Sequence, residues 1–386
     1  MGETYAEFLA SKRLTAPVAG FNATELPPLL KDWQARIVHW ACRLGKAAIF
    51  ADTGLGKTGM QLAWAAQVSA FTGKPVLILA PLAVADQTRR EGEKFGVPVT
   101  VCRENDDVRD GVNVTNYQRL HLFDVAEFGG VVLDESGILK SYMGKTKQQL
   151  IELFADTPYR LCCTATPAPN DHLELGNHSQ FLGVMPSNEM ISRWFINDAS
   201  EAGNYRLKKH AEADYWRWVA SWAVALSLPS DLNGSDEGYV LPPLNIHQHI
   251  VEVDRDPSEM GVLFTDATLS ATSMHREMRR TASARALQVL ELVSDHPSDG
   301  WVIWCNTDYE ADELTTLLPD AIEVRGSDPV EQKERLLAEF SQGKHRVIIT
   351  KPSIAGFGLN WQHVHRMAFV GLSYSYEALY QALRRS

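Results

Sequence analysis

No stretch of this 386-residue chain approaches the ~18 uninterrupted apolar residues that would cross a bilayer, so no membrane span is expected. The first residues, Met1-Gly2-Glu3-Thr4-Tyr5, carry an early acid and no apolar core, unlike a secretory leader. Cysteine is scarce. The five are Cys42, Cys102, Cys162, Cys163 and Cys305, and none forms a C-x-x-C pair. A zinc site is therefore not expected, and an odd, scattered set points to a reducing, cytoplasmic compartment. Cys162 and Cys163 read as buried strand residues. Positive charge is also short: 37 Lys and Arg against 48 Asp and Glu give a net charge of −11. That argues against a protein whose whole surface binds nucleic acid, and leaves room only for local basic tracks. Two such tracks stand out, Arg206 to His210 and Arg276 with Arg279 and Arg280. Each reads either as a contact site or as a solvated helix face. Repeats of fixed period and low-complexity tracts are lacking. What remains, 45% hydrophobic and 22% charged, is ordinary globular composition with length for two or three domains.

What is present is a glycine loop between an apolar run and a helix. Ala47 to Phe50 leads into Ala51-Asp52-Thr53-Gly54-Leu55-Gly56-Lys57-Thr58, and Gly59 to Phe71 reads as a helix with Gly73 as its stop signal. Strand, glycine turn, Lys-Thr and helix make a phosphate cradle. Gly54 and Gly56 let the backbone turn and aim its N–H groups inward, and the helix N-terminus favours an anion. Lys57 would reach the β- and γ-phosphates, and the Thr58 hydroxyl would ligate Mg²⁺. The bland alternative is a tight turn closing a strand–helix unit.

Further apolar runs alternate with amphipathic segments: Val76 to Leu79, Val131 to Leu133, Val302 to Trp304, Val347 to Ile349 and Met367 to Val370. This pattern predicts an α/β fold with parallel sheets flanked by helices. A Pro-, Gly-, Asp- and Ser-rich break runs from Leu228 to Pro243 and divides the chain. The boundaries read from this are an N-terminal extension (1–28), a first domain (29–228) with a helical, Trp-rich insertion at about 186–228, a linker (229–247) and a second domain (248–386). Two α/β domains with a cleft between them are expected. Tyr215, Trp216, Trp218 and Trp222 read first as helix-packing core, and second as an aromatic platform for bases.

Val131-Val132-Leu133 ends in Asp134-Glu135. Two carboxylates at the end of a buried strand are costly unless they face a cleft or a metal. Behind a phosphate loop, Asp134 would hold Mg²⁺ through water, and Glu135 would orient and deprotonate the attacking water. Arg160 to Asn170 supplies another strand end, Thr164-Ala165-Thr166-Pro167, whose hydroxyls could bond the acidic pair and couple nucleotide state to nucleic acid.

In this order the motifs resemble those of superfamily-two DEAD/DEAH-like helicases, with closest likeness to Swi/Snf-type translocases and bacteriophage helicases. Ala51–Thr58 is similar to motif I, Leu79-Ala80-Pro81-Leu82 to motif Ia, Val114 to Gln118 to motif Ib, Asp134-Glu135-Ser136-Gly137 to motif II, and Thr164–Thr166 to motif III. Trp33-Gln34 looks like the glutamine that reads adenine, since its amide both donates and accepts. Phe21 either stacks on that base or is a buried apolar residue. In the second half, Val302 to Asn306 resembles motif IV, and Arg325-Gly326-Ser327 the turn that follows. Thr350 to Asn360 resembles motif V, with Gly358 approaching a phosphate and Asn360 facing the cleft. Tyr380 to Ser386 resembles the start of motif VI, with Gln381 and Arg385 aligned and Arg384 where Gly is usual.

The resemblance implies two RecA-like domains in tandem, a P-loop NTPase with ATP between them, and ATP and Mg²⁺ as cofactors. It implies an ATP hydrolase that couples turnover to movement on nucleic acid, DNA favoured over RNA. Lys57, Asp134, Glu135, Gln381 and Arg385 would form the catalytic set, with Arg385 closing on the γ-phosphate. Thr53, Gly54, Leu55 and Gly56 would complete the nucleotide cradle. Pro81, Thr115, Ser327 and Thr350 would contact the nucleic-acid backbone. The other function class is an ATPase switch or motor subunit of a larger nuclease or packaging assembly. Motif VI breaks off at Ser386, before its second arginine, so a truncated chain that binds ATP but turns it over poorly is expected. The implied setting is a bacterial or phage-infected cytoplasm.

Overall fold

A computed structural model describes residues 14–82, 84–140, 145–197, 205–253, 271–356, 358–371 and 375–385. Residues 1–13 of the N-terminal extension, and Phe357 and Ser386 of the C-terminal motifs, lie outside that set. The chain separates into two compact units at Leu241/Pro242, a boundary that falls inside the Pro- and Gly-rich break.

The first unit is built on β1 (Lys46–Ala51), β2 (Val76–Ala80), β3 (Val99–Val101), β4 (Val112–Asn116), β5 (Gly130–Asp134) and β6 (Tyr159–Thr164). A small hairpin follows, β7 (Phe195–Asn197) against β8 (Tyr205–Leu207), and then β9 (Ala223–Leu226). Strands β1, β2, β4, β5 and β6 are almost wholly buried, as expected for a parallel sheet covered on both faces. The seven-stranded sheet runs β3-β4-β2-β5-β6-β1-β9, and every pairing is parallel. One consequence positions everything else. All strand C-termini share one end of the sheet, the end at which such folds gather their ligands. That end collects the glycine loop after β1, Pro81 after β2, Tyr117 after β4, Asp134-Glu135 at the end of β5, and Thr164–Thr166 at the end of β6.

Two helices flank β1. The helix Asp32–Leu44 begins with Gln34 reaching back to the Lys31 N–H and stops at Gly45, whose φ of 79° suits only glycine. The helix Lys57–Thr72 starts on left-handed Gly56 and stops on left-handed Gly73, whose N–H donates to the Ser69 carbonyl. The Trp-rich segment is core: Tyr215, Trp218 and Trp222 are at most 2% exposed, and Trp194 stacks on Trp218 at 4.7 Å. Only Trp216 keeps an exposed face. The segment is not purely helical, because it delivers β9, which lies beside β1 and forms the edge of the sheet.

The second unit holds a four-stranded parallel sheet, β11-β12-β10-β13, from β10 (Trp301–Trp304), β11 (Ile322–Val324), β12 (Val347–Thr350) and β13 (Arg366–Phe369). Trp304 stacks between Trp361 and Phe369. Glu310, fully buried, accepts from the Asn306 and Thr307 N–H groups at its helix start and pairs with Arg285 at 2.6 Å. Among the described residues no helix is long and apolar enough to cross a membrane.

Candidate active site

The phosphate loop takes the shape its glycines require. Gly54 and Gly56 have φ of 84° and 73°, the left-handed region where a Cβ is disfavoured. The Lys57 ammonium donates to the Ala51 carbonyl at 2.9 Å and the Asp52 carbonyl at 3.2 Å. The cation thus folds over the mouth of its own loop, where an anion would meet it. Asp52 Oδ1 accepts from the Thr53 N–H, and the Asp52 N–H donates to the Leu226 carbonyl of β9, tying the loop to the sheet edge. Thr58 follows at the first turn of the helix.

Gln34 touches the loop directly. Its Nε2 donates to the Leu55 carbonyl at 3.0 Å, while its Oε1 accepts from the Lys31 N–H at 2.9 Å. A Cβ on Gly56 would sit 2.5 Å from that Nε2. Lys31, Trp33 and Arg36, at the start of the same helix, line a cavity of about 530 Å³ together with Asn233 and Tyr239 among others. Trp33 and Tyr239 meet edge to face at 6.1 Å.

Phe21 is elsewhere, which corrects the expectation that it stacks on the base. Its N–H donates to the Cys42 carbonyl near the C-terminus of the first helix, and its ring stacks on Phe71 at 4.2 Å and against Tyr159. Those partners mark the opposite end of the sheet from the phosphate loop, about the length of β1 away. Half-buried packing, the other reading, is what the structure shows.

The acidic pair is held tightly. Asp134 is 7% exposed, and its Oδ1 accepts from Gln61 Nε2 at 2.7 Å. The Tyr117 hydroxyl donates to the Asp134 backbone carbonyl at 2.7 Å. Burial, and then the neighbouring Glu135 charge, push the Asp134 carboxyl well above the usual carboxylate range, opposed by Gln61 and Lys57. Glu135 has φ of 51°, a left-handed backbone that a non-glycine residue adopts only when its surroundings enforce it. Thr164 Oγ1 lies 3.5 Å from Glu135 Oε2, the outer limit of a hydrogen bond, and accepts from the Thr166 N–H at 3.2 Å. Behind the pair, Ser136 Oγ meets His178 Nε2 at 3.1 Å, and burial drives the His178 pKa down to about 4. The donor set suits a hard divalent cation: two carboxylates at one strand end, Asp134 held by a neutral amide rather than by a cation, and a hydroxyl at the start of the neighbouring helix.

The other sites fall out differently. Thr115 and Thr350 are 1% exposed, and the Thr350 hydroxyl donates to the Val324 carbonyl. Neither hydroxyl reaches solvent, so of the contacts expected near these two residues only those through peptide groups remain. Pro81 is partly exposed and Ser327 exposed. In the second unit Gly358 has φ of 73°, and the exposed Asn360 accepts from the Gln362 N–H. Arg385 is 7% exposed and Gln381 fully buried. The guanidinium donates to the carbonyls of Gly356, Leu359 and Gln381 and to Gln381 Oε1, at 2.8–3.1 Å. Within the second unit the guanidinium thus ties Gln381 to the Gly356 and Leu359 carbonyls. Sequence reading missed Gln61, and it placed Tyr117 in the motif Ib stretch without its bond to Asp134. Gln61 carries a weak signal, since it stands four residues after Lys57 on one helix face.

A glycine-turned lysine loop opposite a buried acidic strand end makes the first unit a P-loop nucleotide-binding domain. Residues 33–217 match the SNF2-related domain, and residues 283–386 match the helicase conserved C-terminal domain. The chain thus carries the two domains of an Snf2-type superfamily-two helicase, RecA-like folds in tandem, and is a nucleic-acid-dependent ATP hydrolase. No curated protein matches it. Among solved structures, the Sulfolobus solfataricus SWI2/SNF2 ATPase core in complex with dsDNA is similar over 91% of this chain and 84% of that one, at 16% identity and a TM-score of 0.46.

Proposed function

We propose that this chain is a motor that moves along DNA, with ATP seated on the first unit. The observation that carries the reading is the convergence of Lys57, Asp134, Glu135 and Thr164 on one end of one sheet. The triphosphate would displace the Ala51 and Asp52 carbonyls from Lys57 and take the N–H groups of the loop. Thr58 and Asp134 would hold Mg²⁺, which would neutralise phosphate charge when bound. Glu135, steadied by Thr164, would accept a proton from the attacking water. The nucleic-acid backbone would be held through phosphates by peptide N–H groups near Pro81 and by Ser327, in keeping with a net charge of −11. A bacterial or phage-infected cytoplasm is the proposed setting.

ATP turnover measured with single-stranded DNA, duplex DNA and RNA, beside a strand-displacement assay, tests this. Duplex-stimulated turnover without displacement is the expected result. Displacement would identify a helicase in the strict sense. Turnover indifferent to all three polymers would remove the motor reading and leave a switch within a larger assembly.

A further inference from the structure

Gln61 belongs to none of the helicase motifs, yet it is the side chain that grips Asp134. It is 1% exposed, one turn beyond Lys57 on the helix that starts the phosphate loop, and it reaches across to a strand 73 residues away. Its Nε2 donates to Asp134 Oδ1 at 2.7 Å, the short distance of a charge-assisted bond. The Tyr117 hydroxyl fixes the same residue from the other side through its backbone carbonyl. The donor on Gln61 is neutral. A lysine there would also orient Asp134, but it would discharge it. An amide orients the carboxylate and leaves the Asp134-Glu135 charge to a cation that arrives with the nucleotide.

We propose that Gln61 is a positioning residue that presents Asp134 to the divalent cation of the bound nucleotide, coupling the helix behind the phosphate loop to the acidic strand end. The inference rests on the nucleotide-site reading above. Partners that orient a metal-binding carboxylate are typically worth 10–100-fold in metal affinity or activity.

The test uses the full chain and a fluorescent ATP analogue, titrated with Mg²⁺ at fixed nucleotide. Gln61→Met keeps the length and removes the donor. The Mg²⁺ concentration at half-maximal nucleotide binding should rise about 10-fold or more, while nucleotide binding without Mg²⁺ stays within about 2-fold of wild type. At saturating Mg²⁺, kcat should fall with little change in KM for ATP. Gln61→Asn, which keeps the amide but shortens the reach, should shift the midpoint in the same direction and provides a second folded variant, checked by thermal melting. A wild-type Mg²⁺ midpoint in either folded variant overturns the inference. Lys57→Ala, run in parallel, separates the two levels. If it loses nucleotide while the Gln61 variants keep the wild-type midpoint, only the role of Gln61 fails. If it binds nucleotide normally, the site reading fails and takes the inference with it.

Discussion

The two glycines of the phosphate loop should respond differently to the same methyl group. Both Gly54 and Gly56 are left-handed, so alanine at either should cost roughly 1–2 kcal/mol of backbone strain. At Gly54 a Cβ meets nothing within 4 Å, and strain is the whole effect. At Gly56 the Cβ would lie 2.5 Å from Gln34 Nε2, a contact that must be relieved. Gln34 is 6% exposed and bonded at both ends of its amide, so it yields only by breaking its bond to the Leu55 carbonyl. Losing that bond and leaving its partners buried adds about 1–3 kcal/mol. Gly56→Ala should therefore be about 1–3 kcal/mol worse than Gly54→Ala in urea unfolding, and should weaken ATP binding more. The decisive comparison is the double-mutant cycle with Gln34→Ala. In that background Gly56→Ala should fall to the cost of Gly54→Ala, a coupling of about 1 kcal/mol or more. Equal costs for the two glycines in the wild-type background, or a cycle that closes with no coupling, would refute the reasoning that Gln34 is the neighbour that keeps position 56 a glycine.

Other outcomes follow from the same geometry. Arg285→Met leaves Glu310 fully buried without its cation and should destabilise the second unit by about 3 kcal/mol, read by chemical unfolding; a loss under about 1 kcal/mol would show the helix-start N–H groups suffice. His178 takes up a proton near 6.5 when unfolded and only near 4 when folded, so unfolding absorbs a proton between those values and stability falls as pH falls through them. His178→Gln should flatten that acid limb, whose full depth is about 3 kcal/mol, in urea midpoints measured from pH 7 to 4; an unchanged slope would place the acid lability elsewhere. Thr164→Val removes the hydroxyl that meets Glu135 and should lower kcat about 10-fold or more with ATP affinity nearly unchanged, by turnover and equilibrium binding; an affinity loss at constant kcat would assign Thr164 to binding instead.

How much of this was legible depended on whether the information was local. The runs Val76–Leu79, Val131–Leu133, Val302–Trp304 and Val347–Ile349 became β2, β5, β10 and β12 because short, bounded, β-branched runs buried on both faces have few other options. The loop at Gly54 and Gly56 was legible because its backbone needs glycine. Strand β9 was not, since its four apolar residues, Ala223–Leu226, are too few to show a period and gain meaning only from pairing with β1. Phe21 was misplaced because nearness in sequence to Gln34 does not say which end of a 13-residue helix the chain passes. Burial removes the Thr115 and Thr350 hydroxyls from the expected contacts and leaves the peptide groups near them, a distinction that residue type alone does not carry. Gln61 lies on a helix surrounded by apolar neighbours, and only its partner across the fold reveals it.

The pairing of β9 with β1 has a consequence for how the chain emerges during synthesis. The phosphate loop starts at residue 52, but the carbonyl that anchors it belongs to Leu226. At the usual ~5–20 residues per second, roughly ten to thirty-five seconds separate the making of the loop from the making of its anchor. Through that interval β1 lacks its outer neighbour and offers an apolar edge to any strand that comes by, the Trp-rich segment included. A nascent chain stalled before residue 223 should therefore be a species that holders of unfolded protein capture, and one released after 226 should escape them.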